Sequence, residues 1–205
     1  MVKSIHTRSL VPPLTGVGAA VLLLASGSAM AHSGHRPLES GLFSSFFSGV
    51  THPITGLDHL VMLVGVGLIA AQYKQRNQQA RIMLAALFSM LLGLGFGALS
   101  GFATGIETLI LASVFVAAVA VYSRQRAVSN GWSVALSVLA VVAVMFHGWA
   151  HGLEASASSL VAFAPGMLVS AGLLAISGFK LGQYLTPKWQ SALLAMSGTL
   201  LAIAA

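Results

Sequence analysis

The chain has 205 residues, of which 57% are hydrophobic and only 7% charged, whereas soluble domains carry roughly 25% charged residues. This composition excludes an ordinary soluble domain and predicts an all-α integral membrane protein. Cysteine is absent, which excludes disulfides, thiolate metal sites and iron–sulfur clusters. The net charge of +6 is carried by basic residues scattered between apolar runs, a pattern that fits membrane loops better than a nucleic-acid surface.

Residues 1–31 read as a signal peptide. Lys3, His6 and Arg8 form a basic start, residues 18–25 a short apolar core, and Ala29-Met30-Ala31 a small-x-small cleavage site. Cleavage leaves His32 as the N-terminus with His35 close behind, an amine and two imidazoles suited to collecting metal outside the membrane. Residues 32–56 form a periplasmic stretch in which 41–50 is too short to span. That segment is predicted as an interfacial or re-entrant helix. Residues 57–205 are predicted as a bundle of about six transmembrane helices, at 57–72, 82–102, 106–122, 131–150, 160–181 and 189–204, since a span needs roughly 17–25 apolar residues.

The loops orient this bundle. With the mature N-terminus outside, Lys74, Arg76, Arg81, Arg124, Arg126, Lys180 and Lys188 all fall inside, and of the remaining Lys and Arg after residue 31 only Arg36 stays outside. The positive-inside rule then predicts a bacterial inner-membrane protein with both termini in the periplasm.

Two stretches hold most of the metal-binding side chains. The first runs His52-Pro53-Ile54-Thr55-Gly56-Leu57-Asp58-His59. His52 lies two turns before His59, and Pro53 and Gly56 interrupt the segment, so the chain is expected to enter as a turn and become helical near Gly56. The second runs His147-Gly148-Trp149-Ala150-His151-Gly152-Leu153-Glu154. His147, His151 and Glu154 are spaced i, i+4, i+7 on one helix face, and Gly148 and Gly152 are expected to leave that face uncrowded. At about 1.5 Å rise per residue, Asp58 stands about 21 Å above the inner end of its helix and His147 about 24 Å above its own. Both are in the outer half of a core about 30 Å thick, where they can form one cluster. Ionisable groups in hydrocarbon are costly and mark ion pathways. Imidazole with carboxylate suits Ni²⁺, Co²⁺, Zn²⁺ or Fe²⁺, and affinity order does not choose among them. Glu107 opens the third predicted helix, where a carboxylate suits the helix dipole.

The first stretch, HPITGLDHLVMLVGVG from His52 to Gly67, resembles the HPxxGxDH signature of the HupE/UreJ family, and FHGWAHGLE from Phe146 to Glu154 resembles that family's FHGxAHGxE segment. The resemblance covers essentially the whole chain. It implies a secondary nickel permease of the bacterial inner membrane, not an enzyme, tied to hydrogenase or urease maturation, with some relatives associated with cobalt. It also implies metal-pathway roles for His52, Asp58, His59, His147, His151 and Glu154. On this reading Ni²⁺ is collected near His32 and His35, loses water at those six residues, and leaves past the glycine-rich helix 82–102. The chain has no GxxxxGK[ST] stretch, so the membrane potential, a coupled ion or cytoplasmic trapping supplies the energy. Uptake should weaken as pH falls through about 6.5, where imidazole ordinarily protonates. Two rivals differ in class. One is an intramembrane zinc hydrolase using the same His/Asp set with serines such as Ser156 and Ser158 nearby. The other is a metal sensor that binds without moving its ion.

Overall fold

In lipid every backbone polar group must be satisfied within the protein, and a chain of this composition can do so only as helices. The structure, a computed structural model, describes residues 41–124, 130–154 and 157–204. Seven α-helices make up the described residues: α1 (Leu42–Thr55), α2 (Leu57–Ala71), α3 (Arg76–Ser100), α4 (Ile106–Ser123), α5 (Asn130–Glu154), α6 (Ala157–Tyr184) and α7 (Pro187–Ala204). The predicted signal peptide and residues 32–40, including His32 and His35, lie outside the described residues.

All six segments predicted to span are helical, but they do not span equally. The stretches Arg76–Ser100, Ile106–Ser123, Gly131–Glu154 and Ser159–Tyr184 are each long and apolar enough to cross a membrane. Helix α2 has 15 residues, about 22 Å at 1.5 Å per residue, which is short for a span by itself. It qualifies only together with α1, to which it is bent by 77° at Gly56, so that the pair makes a fifth, broken span or a re-entrant loop. Helix α7 opens with Pro-Lys-Trp-Gln and is not among the helices apolar enough to cross. Among the described residues, length and composition thus give four helices, or five with the bent pair taken as one span, that suit a crossing.

The first helix also runs further than expected. It continues through Pro53 to Thr55, so His52 sits on a helix rather than a turn. Proline removes one backbone donor in the last turn. Nearby, the Thr51 hydroxyl donates to the carbonyls of Phe47 and Ser48, and that of Thr55 to those of Thr51 and His52. Gly56 then adopts an extended conformation (φ −80°, ψ 107°), and its N–H donates to the His52 carbonyl at 3.0 Å. The chain turns through 77° here because α2 starts afresh at Leu57.

Hydrophobicity gives little drive for helices to associate in lipid, so close backbone approach through small residues takes its place. Glycines do this in facing sets. A Cβ added at Gly93, Gly97, Gly148 or Gly152 would collide with the carbonyl of Met145, Trp149, Met90 or Leu94, respectively, so α3 and α5 touch backbone to backbone. Gly49 and Gly166 do the same between α1 and α6, and Gly67 and Gly178 between α2 and α6. One expectation is thereby corrected. Gly148 and Gly152 do not leave space beside the histidines, because α3 fills it. Gly93 and Gly97 serve helix packing, since α5 closes over them.

Inside the bundle, Met62, Leu63 and Val66 of α2, Met90 of α3, Val114 of α4, Val144 of α5 and Met167 of α6 are fully buried in one apolar cluster. Large apolar side chains such as Phe88, Leu92, Val138, Val142, Leu173 and Ile176 face outward, as lipid requires. At one end, Gln190 is wholly buried. Its amide donates to the carbonyls of Gly182 and Leu185 and accepts from Gln72 at 2.6 Å. The Arg124 guanidinium lies 4.2 Å over the Tyr73 ring. These contacts gather the α2–α3 connection with Lys74, the end of α4 with Arg124 and the start of α7 with Lys188. Arg126 lies outside the described residues.

Candidate metal centre

The bend at Gly56 brings the last turn of α1 against the first turn of α2, and α5 packs its histidine face against both. Four imidazoles meet there. The His52 and His151 ring centroids are 4.2 Å apart, those of His59 and His151 4.4 Å, of His59 and His147 4.7 Å, and of His52 and His59 5.7 Å. The sequence spacing that put His52 and His59 on one helix face is not what unites them. They sit on separate helices and meet across the bend.

Two groups have ligand atoms mutually within 4.8 Å: His52 with His59 and His151, and Asp58 with His59 and His147. Both include His59. Neutral imidazole carries one lone pair, so His59 serves one group at a time. Its Nδ1 lies 2.9 Å from Asp58 Oδ1, the carboxylate–histidine arrangement that fixes a ring for ligation through its other nitrogen. That other nitrogen, Nε2, stands 2.7 Å from His151 Nε2. Two imidazole nitrogens facing each other so closely share one proton or bind one cation, since two N–H groups cannot point at each other.

Exposure is graded across the cluster. The Asp58 side chain is 29% exposed and His52 is half-buried, whereas His59, His151 and His147 are buried, His147 to 1%. The cluster thus opens at Asp58 and His52 and closes at His147. Gly56 makes the open end possible: a Cβ there would stand 3.0 Å from His59 Nδ1 and 3.3 Å from Asp58 Oδ1. Phe163 of α6 flanks the cluster, 6.1 Å from the His52 ring and 6.0 Å from that of His151.

Glu154 is not brought in. It is the last residue of α5, exposed, and belongs to neither group. The i, i+7 spacing keeps it on the histidine face but one turn beyond the partners that α1 and α2 supply. Glu107 is exposed in the first turn of α4, consistent with a helix-dipole role. Ser156 lies outside the described residues, and Ser158 is on α6 without a described side chain.

One residue of the cluster escaped the sequence reading. Ser113, in the middle of α4, places its hydroxyl oxygen 2.8 Å from His147 Nε2 and 2.6 Å from the Ile110 carbonyl. His147 Nδ1 is buried with no hydrogen-bond partner. A lone serine within the apolar run LILASVFVAAVAV was the available signal.

No curated protein and no solved structure matches the chain. The family model described as HupE / UreJ protein matches residues 20–205 and so takes in all seven helices and both histidine stretches; the chain belongs to the HupE/UreJ family.

Proposed function

We propose that the protein is a secondary permease that takes Ni²⁺ across the bacterial inner membrane, with Co²⁺ as the alternative cargo, and that His52, Asp58, His59, His147 and His151 form its dehydrating site. The observation that carries this reading is the pair of three-residue groups sharing His59. An ion entering beside Asp58 and His52 can pass from the His52/His59/His151 set to the Asp58/His59/His147 set, whose His147 is the most buried of the four imidazoles. Because His59 cannot complete both at once, the second set forms as the first lets go, and one ion advances without ever losing all its ligands. All the ligands are nitrogen or oxygen, which suits Ni²⁺ and Co²⁺.

An inside-negative potential favours cation entry by about 2.3 kcal/mol per charge per 100 mV, so a divalent ion needs no nucleotide-driven step. In this reading the end carrying Lys74, Arg124 and Lys188 faces the cytoplasm and the histidines face the periplasm. His32 and His35 act there as outer collectors, and the metal goes on to hydrogenase or urease maturation.

The test is ⁶³Ni uptake into cells lacking their own nickel importers, with excess Co²⁺, Zn²⁺ or Mg²⁺ as competitors. Uptake above vector, lost in Asp58→Ala and His151→Ala at equal membrane expression, is expected. No nickel or cobalt uptake from correctly inserted protein would refute the permease. Purified protein holding zinc stoichiometrically would turn attention to the hydrolase.

A further inference from the structure

A serine hydroxyl has one proton to give. That of Ser113 lies 2.6 Å from the Ile110 carbonyl, an oxygen that only accepts, and Ile110 is three residues back on the same helix. With its proton committed there, Ser113 Oγ can only accept from His147 Nε2, 2.8 Å away. Nε2 is then the protonated nitrogen. A ligating imidazole is neutral and carries a single N–H, so Nδ1 holds the lone pair. Nδ1 is the one buried side-chain nitrogen or oxygen among the described residues that has no hydrogen-bond partner. A buried polar atom left unpaired is costly and calls for an explanation.

We propose that Ser113 is a positioning residue for the metal site: by accepting from Nε2–H it fixes the tautomer and rotation of His147 and leaves Nδ1 as the nitrogen that takes the cation. The assignment rests on the reading of the histidine cluster as a metal site. It adds a residue from α4, a helix that carries neither histidine stretch. Ser113 touches the ion only through His147, as the orienting partners of metal-bound histidines commonly do. A merely structural role also exists for a serine bonding back to the i−3 carbonyl of its own helix, and the experiment separates the two.

The full chain in lipid nanodiscs is titrated with Ni²⁺ and with Co²⁺ by calorimetry, for the parent, Ser113→Ala, Ser113→Thr, His147→Ala and the double variant Ser113→Ala/His147→Ala. Removing such an orienting partner typically weakens metal binding by about 10–100-fold. That loss is expected for Ser113→Ala, with recovery in Ser113→Thr and no added loss when His147 is already alanine. Parent-like binding by Ser113→Ala, or an equal loss with and without His147, overturns the assignment. A parent that binds neither ion overturns the metal-site reading itself and the assignment with it. Thermal unfolding without metal is followed in parallel. If Ser113→Ala fails to fold, Ser113→Thr is compared with Ser113→Val, which matches it in shape without the hydroxyl, and the same two outcomes decide.

Discussion

Replacing Gly148 by alanine should loosen the protein and its site together. A Cβ at Gly148 would collide with the Met90 carbonyl and stand 3.0 Å from the Leu94 backbone nitrogen. Both obstacles are backbone, so no rotamer change relieves them, and α3 and α5 must separate. Overpacking of this kind costs about 1–3 kcal/mol, while alanine in a helix gains about 1 kcal/mol over glycine. Because the clash is backbone on backbone, the cost falls at the upper end of its range, and a net loss of up to about 2 kcal/mol is expected. The displacement also reaches the site. His147 precedes Gly148, and His151 follows by less than a turn with its Nε2 only 2.7 Å from that of His59. Gly95 supplies the control: it lies in α3 between Gly93 and Gly97, and a Cβ there meets nothing within 4 Å. Unfolding midpoints and Ni²⁺ affinity in nanodiscs are measured for both. Gly148→Ala should unfold earlier and bind metal more weakly, whereas Gly95→Ala should match or exceed the parent. If the two variants behave alike, the facing-glycine account of the α3–α5 contact is wrong.

Three further outcomes are expected. His59→Ala should abolish Ni²⁺ binding and uptake, because both ligand groups contain it, whereas His52→Ala and His147→Ala each leave one group intact and should weaken binding without ending it; equal effects in all three would refute the shared-ligand arrangement. Trp149→Phe removes the indole N–H donated to the Phe102 carbonyl at 2.8 Å and should cost about 0.5–1.5 kcal/mol, read as an earlier unfolding midpoint with uptake retained. Protons and metal compete for imidazole lone pairs, so Ni²⁺ affinity should fall as pH is lowered from about 8 to about 5, measured by calorimetry at each pH; an affinity that rises over that range would refute this competition.

Helix positions were legible in the sequence because long apolar runs in lipid have few alternatives to helix. All six predicted segments are helical, and the two histidine stretches do converge. What the runs did not reveal was how each helix meets the membrane. Pro53 looked like an interruption, yet α1 continues through it, and the bend falls one turn later at Gly56. The spacing of His147, His151 and Glu154 fixed a helix face but not where the facing helices end, so Glu154 was grouped with partners that do not reach it. Glycine content announces close packing without saying which surfaces meet; the contact of Gly93 and Gly97 with α5 emerges only in three dimensions. Ser113 lay beyond any motif, since its meaning comes from a histidine 34 positions away.

The facing glycines have a mechanical consequence. They lock α1, α2 and α6 into one backbone-to-backbone block and α3 with α5 into another. His52, Asp58 and His59 belong to the first block, and His147 and His151 to the second. The cluster is therefore a seam between two stiff bodies. A cation held by His59 and His151 would be a rivet across that seam. Its presence would resist shear between the blocks and raise the melting temperature in proportion to the logarithm of metal concentration, and its departure would free them to slide.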